Sequence, residues 1–188
     1  MTRPTVVVLL KEPRPGRVKT RLASEIGTIP ACWWFRHQVS RLLREIRDPR
    51  WRLVLAVAPD GAITSRAWPA DLPRLAQGGG DLGARMGRVL KSTGPGPRLL
   101  IGADIPGLTR AHIRRGFEAL KGHGAVLGPA VDGGFWLIGL KGPVPRGLFG
   151  TVRWSSEYAM QDTIQSMPDR VQPGFCDTMA DVDRAADL

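Results

Sequence analysis

The chain has 188 residues, of which 43% are hydrophobic and 23% charged, a composition typical of a globular protein, and we expect one domain over residues 1–188. Cys32 and Cys176 stand apart, without a CxxC pair or a Cys/His cluster, which excludes structural zinc, iron–sulfur and disulfide-scaffold proteins. The net charge of +10 comes from basic residues scattered along the chain, which favours a phosphorylated small molecule over nucleic acid as the partner.

The predicted elements alternate between strands and helices. In chain order they are a strand over Thr5–Leu10, a helix over Pro30–Ile46, a strand over Arg52–Ala58, a short apolar segment near Leu75, a helix over Ala84–Lys91, a strand over Arg98–Gly102, a helix from the capping Thr109 to about Leu120, strands over Ala125–Leu127 and Phe135–Leu140, a helix over Ser155–Met167 and a strand over Val171–Phe175. This alternation predicts an α/β three-layer sandwich with a mixed, mostly parallel Rossmann-like sheet. Ligands are expected at the carboxyl ends of its strands.

The apolar runs are all far shorter than the ~20 residues that a membrane-spanning helix needs. The first residues also lack the long apolar region and cleavage site of a signal peptide. We therefore expect a cytoplasmic protein, monomeric or homodimeric, with neither a membrane nor a nucleic-acid partner.

The loop after the first predicted strand is dense in cations. Residues 11–22 read KEPRPGRVKTRL, in which Lys19 supplies a point charge, Arg21 a fork of donors and Gly16 room for a close approach of the backbone. The pattern is not a Walker A motif, because Pro13 and Val18 stand where its glycines are required. It predicts phosphate binding, with a merely solvated basic loop as the alternative. The nucleotide-binding residues predicted on this loop are Lys11, Pro13, Gly16, Lys19 and Arg21.

A glycine-rich segment, residues 77–83, precedes the third predicted helix. It is either a flexible loop or a cradle of backbone amides for a base or phosphate. In the second case Gln77, Gly80 and Asp81 bind the nucleotide, and Arg85, one turn into the helix, faces the same ligand.

Aspartates stand at three further places. Asp104 follows the strand 98–102 and either holds Mg²⁺ between itself and substrate phosphates or forms an Asx turn or helix cap before Pro106. Asp181 and Asp183 lie near the C-terminus, where the pattern alone describes an acidic helix start.

The third place is the turn Asp132-Gly133-Gly134, between two strands that are candidates for an antiparallel pair. Either the segment is only a hairpin turn, or its two glycines keep the backbone bare against an acceptor while Asp132 binds metal or a ligand hydroxyl. We take Asp132, Gly133 and Gly134 as predicted acceptor-binding residues.

Six segments in register resemble a known family: KEPRPGRVKTRL, QGGGDLGARM, LLIGADIPGL, VLGPAVDGGFWLIGL, VRWSS and DVDRAADL. The resemblance is to the CofC-like GT-A-type family called radical-SAM/selenodomain-associated transferase 1, which is related to MobA-like and CofC-like nucleotidyltransferases. It covers nearly the whole chain. It implies a nucleotide-diphospho-sugar transferase fold, a nucleotide bound over the loop after the first strand, and Mg²⁺ or Mn²⁺ as cofactor.

The resemblance also implies roles for individual residues. Lys19 and Arg21 match the phosphate-binding loop, and Asp104 matches the metal-binding aspartate at a strand end. Asp183 matches the late aspartate of a DxDTxxDL signature that binds metal in some relatives, although Arg184 stands in place of its threonine. The predicted catalytic residues are Lys19, Arg21 and Asp104, and the predicted metal ligands are Asp104 and Asp183.

Three functions remain open at this point. The first is nucleotidyl transfer from an NTP to a small phosphorylated or carboxylated acceptor, which the density of the basic loop favours. The second is glycosyl transfer from a nucleotide-sugar, whose diphosphate the metal would hold as leaving group. The third is nucleotide binding without catalysis.

Overall fold

The computed structural model describes residues 3–188, within which seven strands and five α-helices are assigned. The strands are β1 (Thr5–Lys11), β2 (Arg52–Ala58), β3 (Arg74–Ala76), β4 (Arg98–Ile101), β5 (Ala125–Pro129), β6 (Phe135–Leu140) and β7 (Pro173–Phe175). The helices are α1 (Thr20–Ile26), α2 (Thr28–Glu45), α3 (Leu82–Ser92), α4 (Arg110–Gly122) and α5 (Ala159–Gln165), with 3₁₀ turns at Asp60–Thr64 and Ala185–Asp187. None of the helices within residues 3–188 is long and apolar enough to cross a membrane.

The strands form one mixed sheet in the order β3-β2-β1-β4-β6-β5-β7. β1 pairs in parallel with β2 and β4, whereas β6 runs antiparallel to both β4 and β5. The predicted mixed, mostly parallel sheet and the antiparallel pair β5–β6 are confirmed. Because β1 and β4 are parallel neighbours, the loops that follow them lie at the same edge of the sheet.

Both faces of the sheet are covered, which makes the three predicted layers. Val6 and Val8 on β1 belong to one buried cluster, which includes Phe35 of α2 and Ile113 of α4. Val7 points to the other face, into a cluster with Val89 of α3. All three valines are fully buried, so β1 reads as a continuous apolar run, as strands covered on both faces do.

Two helices differ from their predictions. Helix α1 was not predicted, because it begins after Lys19 in a left-handed conformation (φ 46°) and no side chain caps its first turn. The helix expected over Ser155–Met167 is wrong at its start, since α5 begins only at Ala159. Residues 155–158 form a turn instead, with Ser155 at φ 59°.

Candidate active site

Two cavities join into one cleft at the carboxyl ends of β1 and β4. The larger, of about 740 Å³, is called here the cationic cavity, because Lys11, Lys19, Arg21 and Arg85 line it. The smaller, of about 250 Å³, is called the aromatic cavity and is lined by Phe135, Trp136 and Trp154. Residues that line both cavities include Asp104, Asp132, Ser155 and Ser156. The cleft therefore lies where ligands of open α/β sheets bind.

Lys19 is the centre of the cationic cavity. Its Nζ lies 2.5 Å from Oδ2 of Asp104 and 3.2 Å from Oδ1 of Asp183, and its side chain is only 7% exposed. Arg21 donates to the other carboxylate oxygen of Asp183 at 2.6 Å, from a side chain that is 63% exposed. The structure thus brings together the three predicted catalytic residues and the second predicted metal ligand.

The charged side chains of this cluster shift one another's pKa values. Burial lowers the pKa of Lys19, but the carboxylates of Asp104 and Asp183 outweigh burial, and the net pKa is above its ordinary value. Burial raises the pKa of Asp183, whereas Lys19 and Arg21 lower it further than burial raises it. Burial and then the negative charges of Asp104 and Asp183 raise the pKa of Asp181, which lines the aromatic cavity. At neutral pH an ammonium therefore lies between two carboxylates.

The donor set at this point fits a divalent ion that is shared with a ligand. Among residues 3–188 no group of three or more His, Cys, Asp or Glu side chains could hold a metal ion. Asp104 and Asp183 do converge on one position, because the same Lys19 Nζ contacts both. Mg²⁺ is commonly held by one or two carboxylates, with water and substrate phosphates completing its shell. Two carboxylates beside a cation-lined cavity meet that requirement.

Gln77 is a buried residue of the cationic cavity's lining, where it contacts Arg85. Its side-chain amide donates to the carbonyl oxygens of Leu10 at 2.8 Å and Ala56 at 2.7 Å. Its carbonyl oxygen accepts a hydrogen bond from Arg85. Because both ends of this amide are engaged, Gln77 orients the Arg85 guanidinium.

Four of the predicted nucleotide-binding residues do not line either cavity; they are Pro13, Gly16, Gly80 and Asp81. Asp81 is the N-cap of α3, where its side chain accepts from the backbone N–H of Ala84 at 2.8 Å. The amide of Gly78 is also engaged, since it donates to Asp60. The glycine-rich segment therefore serves largely as the start of α3, and the cavity takes from it Gln77 and, one turn on, Arg85.

The predicted acceptor turn forms a wall of the aromatic cavity through Asp132 and Gly134. Oδ1 of Asp132 accepts the backbone N–H of Gly134 at 2.9 Å. Gly133 lines neither cavity and is the glycine with a positive φ, at 84°. A Cβ on Gly133 would clash with the backbone of Glu157, including its carbonyl oxygen. The first glycine thus packs against the loop before α5, and the second faces the cavity.

Gly133→Ala tests this packing. We expect it to lower the free energy of unfolding by about 3 kcal/mol or more, because a strained φ and a backbone clash add together. Gly94→Ala is the matched control, since Gly94 also has a positive φ (80°) but open space around it, and about 1–2 kcal/mol is expected there. Urea unfolding measures both free energies. Equal losses of stability in the two variants would show that Gly133 is needed only for its positive φ and not for close packing.

The loop before α5, residues 152–158, carries four cavity residues that sequence reasoning missed: Trp154, Ser155, Ser156 and Glu157. Arg153 fixes the loop through bonds of 2.8 Å to each carboxylate oxygen of Asp162. These bonds, and the backbone N–H of Arg153, hold the pKa of Asp162 at about 2. The only signal in the sequence was the segment VRWSS, whose serines had no nucleophile pattern around them.

The Arg153–Asp162 pair makes stability depend on pH. The carboxyl of Asp162 has a lower pKa folded than the ~3.9 of a free aspartate, so its contribution is present above pH ~4 and is lost as pH falls towards 2. Asp162→Asn should therefore be less stable than the wild type at pH 6, and the difference should shrink in acid. Urea unfolding across this range measures it, with exposed Asp169→Asn as the control. A difference that is constant down to pH 2 would contradict the assignment.

Comparison with known proteins identifies a family that matches this chain. Residues 42–156, more than half of the chain, match the family described as "Uncharacterized protein conserved in bacteria (DUF2064)". No curated protein matches the sequence. The narrower resemblance to the CofC-like group stays a prediction.

Solved structures share the architecture. A candidate nucleotide-diphospho-sugar transferase from Desulfovibrio desulfuricans G20 is 25% identical with a TM-score of 0.82, the match covering 98% of this chain and 84% of that one. Rv0371c from Mycobacterium tuberculosis H37Rv, in complex with manganese, is 17% identical with a TM-score of 0.58, covering 99% and 96%. The inositol-1-phosphate CTP transferase from T. maritima is 12% identical with a TM-score of 0.57, covering 98% and 91%. The nucleotide-diphospho-sugar transferase fold of GT-A type is confirmed.

Proposed function

We propose that this chain, which belongs to the DUF2064 family, is a metal-dependent transferase that moves a nucleotidyl group from an NTP to a small acceptor. The observation that carries the proposal is the cationic cavity, in which Lys19 lies between Asp104 and Asp183 at the carboxyl ends of parallel strands. Its volume of about 740 Å³ falls within the ~300–1,000 Å³ of small-molecule sites. Its lining offers four cationic side chains to a triphosphate, beside the carboxyl groups of Asp104, Asp132, Glu157 and Asp183.

Each residue of the cluster has a role in this reaction. Lys19 and Arg21 contact phosphate oxygens and stabilise the negative charge that develops when pyrophosphate leaves. Arg85, held by Gln77, contacts the same phosphates from the side of α3. Asp104 and Asp183 would hold Mg²⁺ or Mn²⁺, which would supply further positive charge to the phosphates. Both carboxylates pair with Lys19 in the free protein, so its ammonium is already positioned beside the place where the phosphates would lie.

Glycosyl transfer is the second candidate, and one observation favours it. The solved structure with a TM-score of 0.82 is described as a candidate nucleotide-diphospho-sugar transferase. In that reaction the same cations would hold the diphosphate of a nucleotide-sugar as the leaving group.

A thermal-shift screen separates these functions. The four NTPs and their nucleotide-sugars are each tested with Mg²⁺, with Mn²⁺ and without metal. We expect the largest stabilisation from an NTP with metal, about 2.7 kcal/mol at a hundred times its Kd, or roughly 5–10 °C for a chain of this size. Larger shifts with nucleotide-sugars would favour glycosyl transfer, and no shift with any nucleotide would overturn the proposal. Pyrophosphate release then distinguishes an enzyme from a protein that only binds the nucleotide.

A further inference from the structure

The two cavities of the cleft differ in the charges that line them. The cationic cavity has four cations, Lys11, Lys19, Arg21 and Arg85, beside the carboxyl groups of Asp104, Asp132, Glu157 and Asp183. Of the residues that the structure describes, no Lys, Arg or His lines the aromatic cavity. The ionisable side chains that line it are three aspartates: Asp104, Asp132 and Asp181.

Apart from its aspartates and the hydroxyls of Ser155 and Ser156, the wall of the aromatic cavity is largely apolar. Phe135 and Trp136 follow the acceptor turn, and Trp154 lies opposite them on the loop before α5. Trp154 contacts Phe135 edge to face, with 6.3 Å between the ring centroids. The volume of about 250 Å³ fits a molecule smaller than most that occupy ~300–1,000 Å³ sites. An occupant therefore gains by placing an apolar ring or chain among these side chains.

Charge decides which head group this occupant carries. At 4 Å, a phosphate or carboxylate would be repelled by one aspartate by about 4 kcal/mol at an effective dielectric constant of 20. Lys19 lies 2.5 Å from Asp104 and offsets its charge, whereas Asp132, in the same lining, forms no ion pair among the residues that the structure describes. A hydroxyl, by contrast, donates a hydrogen bond to a carboxylate, a favourable charge-assisted contact.

We propose that the aromatic cavity takes an uncharged alcohol with an apolar body as the acceptor, in place of the phosphorylated or carboxylated acceptor expected from the sequence. This inference rests on the proposed nucleotidyl transfer and names its second substrate. Asp132 lines both cavities, so it lies where an acceptor hydroxyl meets the nucleotide.

The acceptor hydroxyl oxygen forms a bond to the α-phosphorus, and the bond from that phosphorus to the oxygen bridging to the β-phosphate breaks. Pyrophosphate leaves with the electron pair, and the hydroxyl proton passes to the carboxylate of Asp132. Oδ1 of Asp132 already accepts from Gly134, at 2.9 Å, which orients the carboxylate and leaves Oδ2 for the proton. The product is a phosphodiester of the alcohol.

Benzyl alcohol and benzyl phosphate test the charge preference, because they share a ring and differ in charge. Binding of each to the full chain is measured by ligand-observed NMR, with the cationic cavity saturated by Mg²⁺ and a non-hydrolysable NTP analogue. We expect benzyl alcohol to bind at least about tenfold more tightly than benzyl phosphate, and mass spectrometry to detect its nucleotidyl ester when NTP replaces the analogue. Stronger binding by benzyl phosphate, or no binding of benzyl alcohol at millimolar concentration, would overturn the inference.

Two variants test which cavity binds benzyl alcohol. Ala130 lines only the aromatic cavity, so Ala130→Leu should abolish binding of benzyl alcohol and leave the Kd for NTP within about twofold. Ala67→Leu, in a separate groove near Trp68, is the matched control and should change neither. Loss of NTP binding in Ala130→Leu, with its melting temperature retained, would place the nucleotide in the aromatic cavity and contradict the assignment.

Asp132→Asn tests the charge directly. It should lower kcat for ester formation at least about tenfold and raise the affinity for benzyl phosphate relative to benzyl alcohol, a shift that a purely structural role would not cause. Asp169→Asn, on the exposed turn after α5, should change neither value. An unchanged kcat and an unchanged preference in Asp132→Asn would remove Asp132 from the step. NTP binding in the same samples keeps the two proposals apart, since its absence would refute the nucleotidyl transfer itself.

Discussion

Asp104→Asn should abolish the metal-dependent part of nucleotide binding. The substitution keeps the size of the side chain and removes the charge that faces both Lys19 and the position proposed for the metal. We expect the Kd for an NTP in Mg²⁺ to rise at least about 30-fold, which is about 2 kcal/mol, and the Kd without metal to change little. Isothermal titration calorimetry with and without Mg²⁺ measures both constants.

The variant should remain folded, because Lys19 keeps its contact with Asp183 at 3.2 Å. Asp177→Asn is the matched control, since Asp177 also pairs with a cation, Arg115 at 2.7 Å, but lines neither cavity. It should bind NTP as the wild type does. An Asp104→Asn protein with an unchanged response to Mg²⁺ would remove Asp104 from the metal site.

Lys19→Met should weaken binding of a triphosphate far more than binding of the matching nucleoside. Methionine retains most of the apolar stem, so the change removes mainly the ammonium from between Asp104 and Asp183. The phosphates then lose a charge-assisted contact and face uncompensated carboxylates. We expect about a 100-fold loss for NTP, or about 2.7 kcal/mol, and less than about threefold for the nucleoside.

Arg21→Ala should also weaken triphosphate binding more than nucleoside binding, but only by roughly 5- to 10-fold. Its side chain is 63% exposed, so water screens its charge. Arg14→Ala provides the control on the same loop, since Arg14 pairs with Glu12 and lines neither cavity. Titration of NTP, NDP, NMP and nucleoside into each variant gives the comparison. Equal losses for all four ligands in Lys19→Met would mean that the loop matters through folding and not through phosphate.

The meeting of Lys19 with Asp104 follows from the sequence. Each stands in a loop after a buried apolar strand, and neighbouring parallel strands bring such loops to one edge of the sheet. The contact of Lys19 with Asp183 joins residues 164 positions apart. Only the resemblance of the DVDRAADL segment to a family signature indicated it, because no local pattern reports a contact over that distance.

Other parts of the cleft depend on tertiary packing that no local pattern records. The sequence shows two glycines after Asp132, but only the approach of Glu157 shows that Gly133 packs and Gly134 faces the cavity. Likewise, the start of α5 was misplaced because the Arg153–Asp162 pair holds residues 155–158 as a turn.

A crystal of the protein with Mn²⁺ and an α,β-methylene NTP analogue tests the proposed reaction site most directly. Anomalous scattering locates the metal independently of the protein density. We expect the Mn²⁺ peak within about 2.0–2.3 Å of carboxylate oxygens of Asp104 and Asp183, with Lys19 displaced onto a phosphate oxygen and the aromatic cavity left free of nucleotide. A metal bound away from Asp104, or phosphates that do not contact Lys19, would contradict the proposed transferase site.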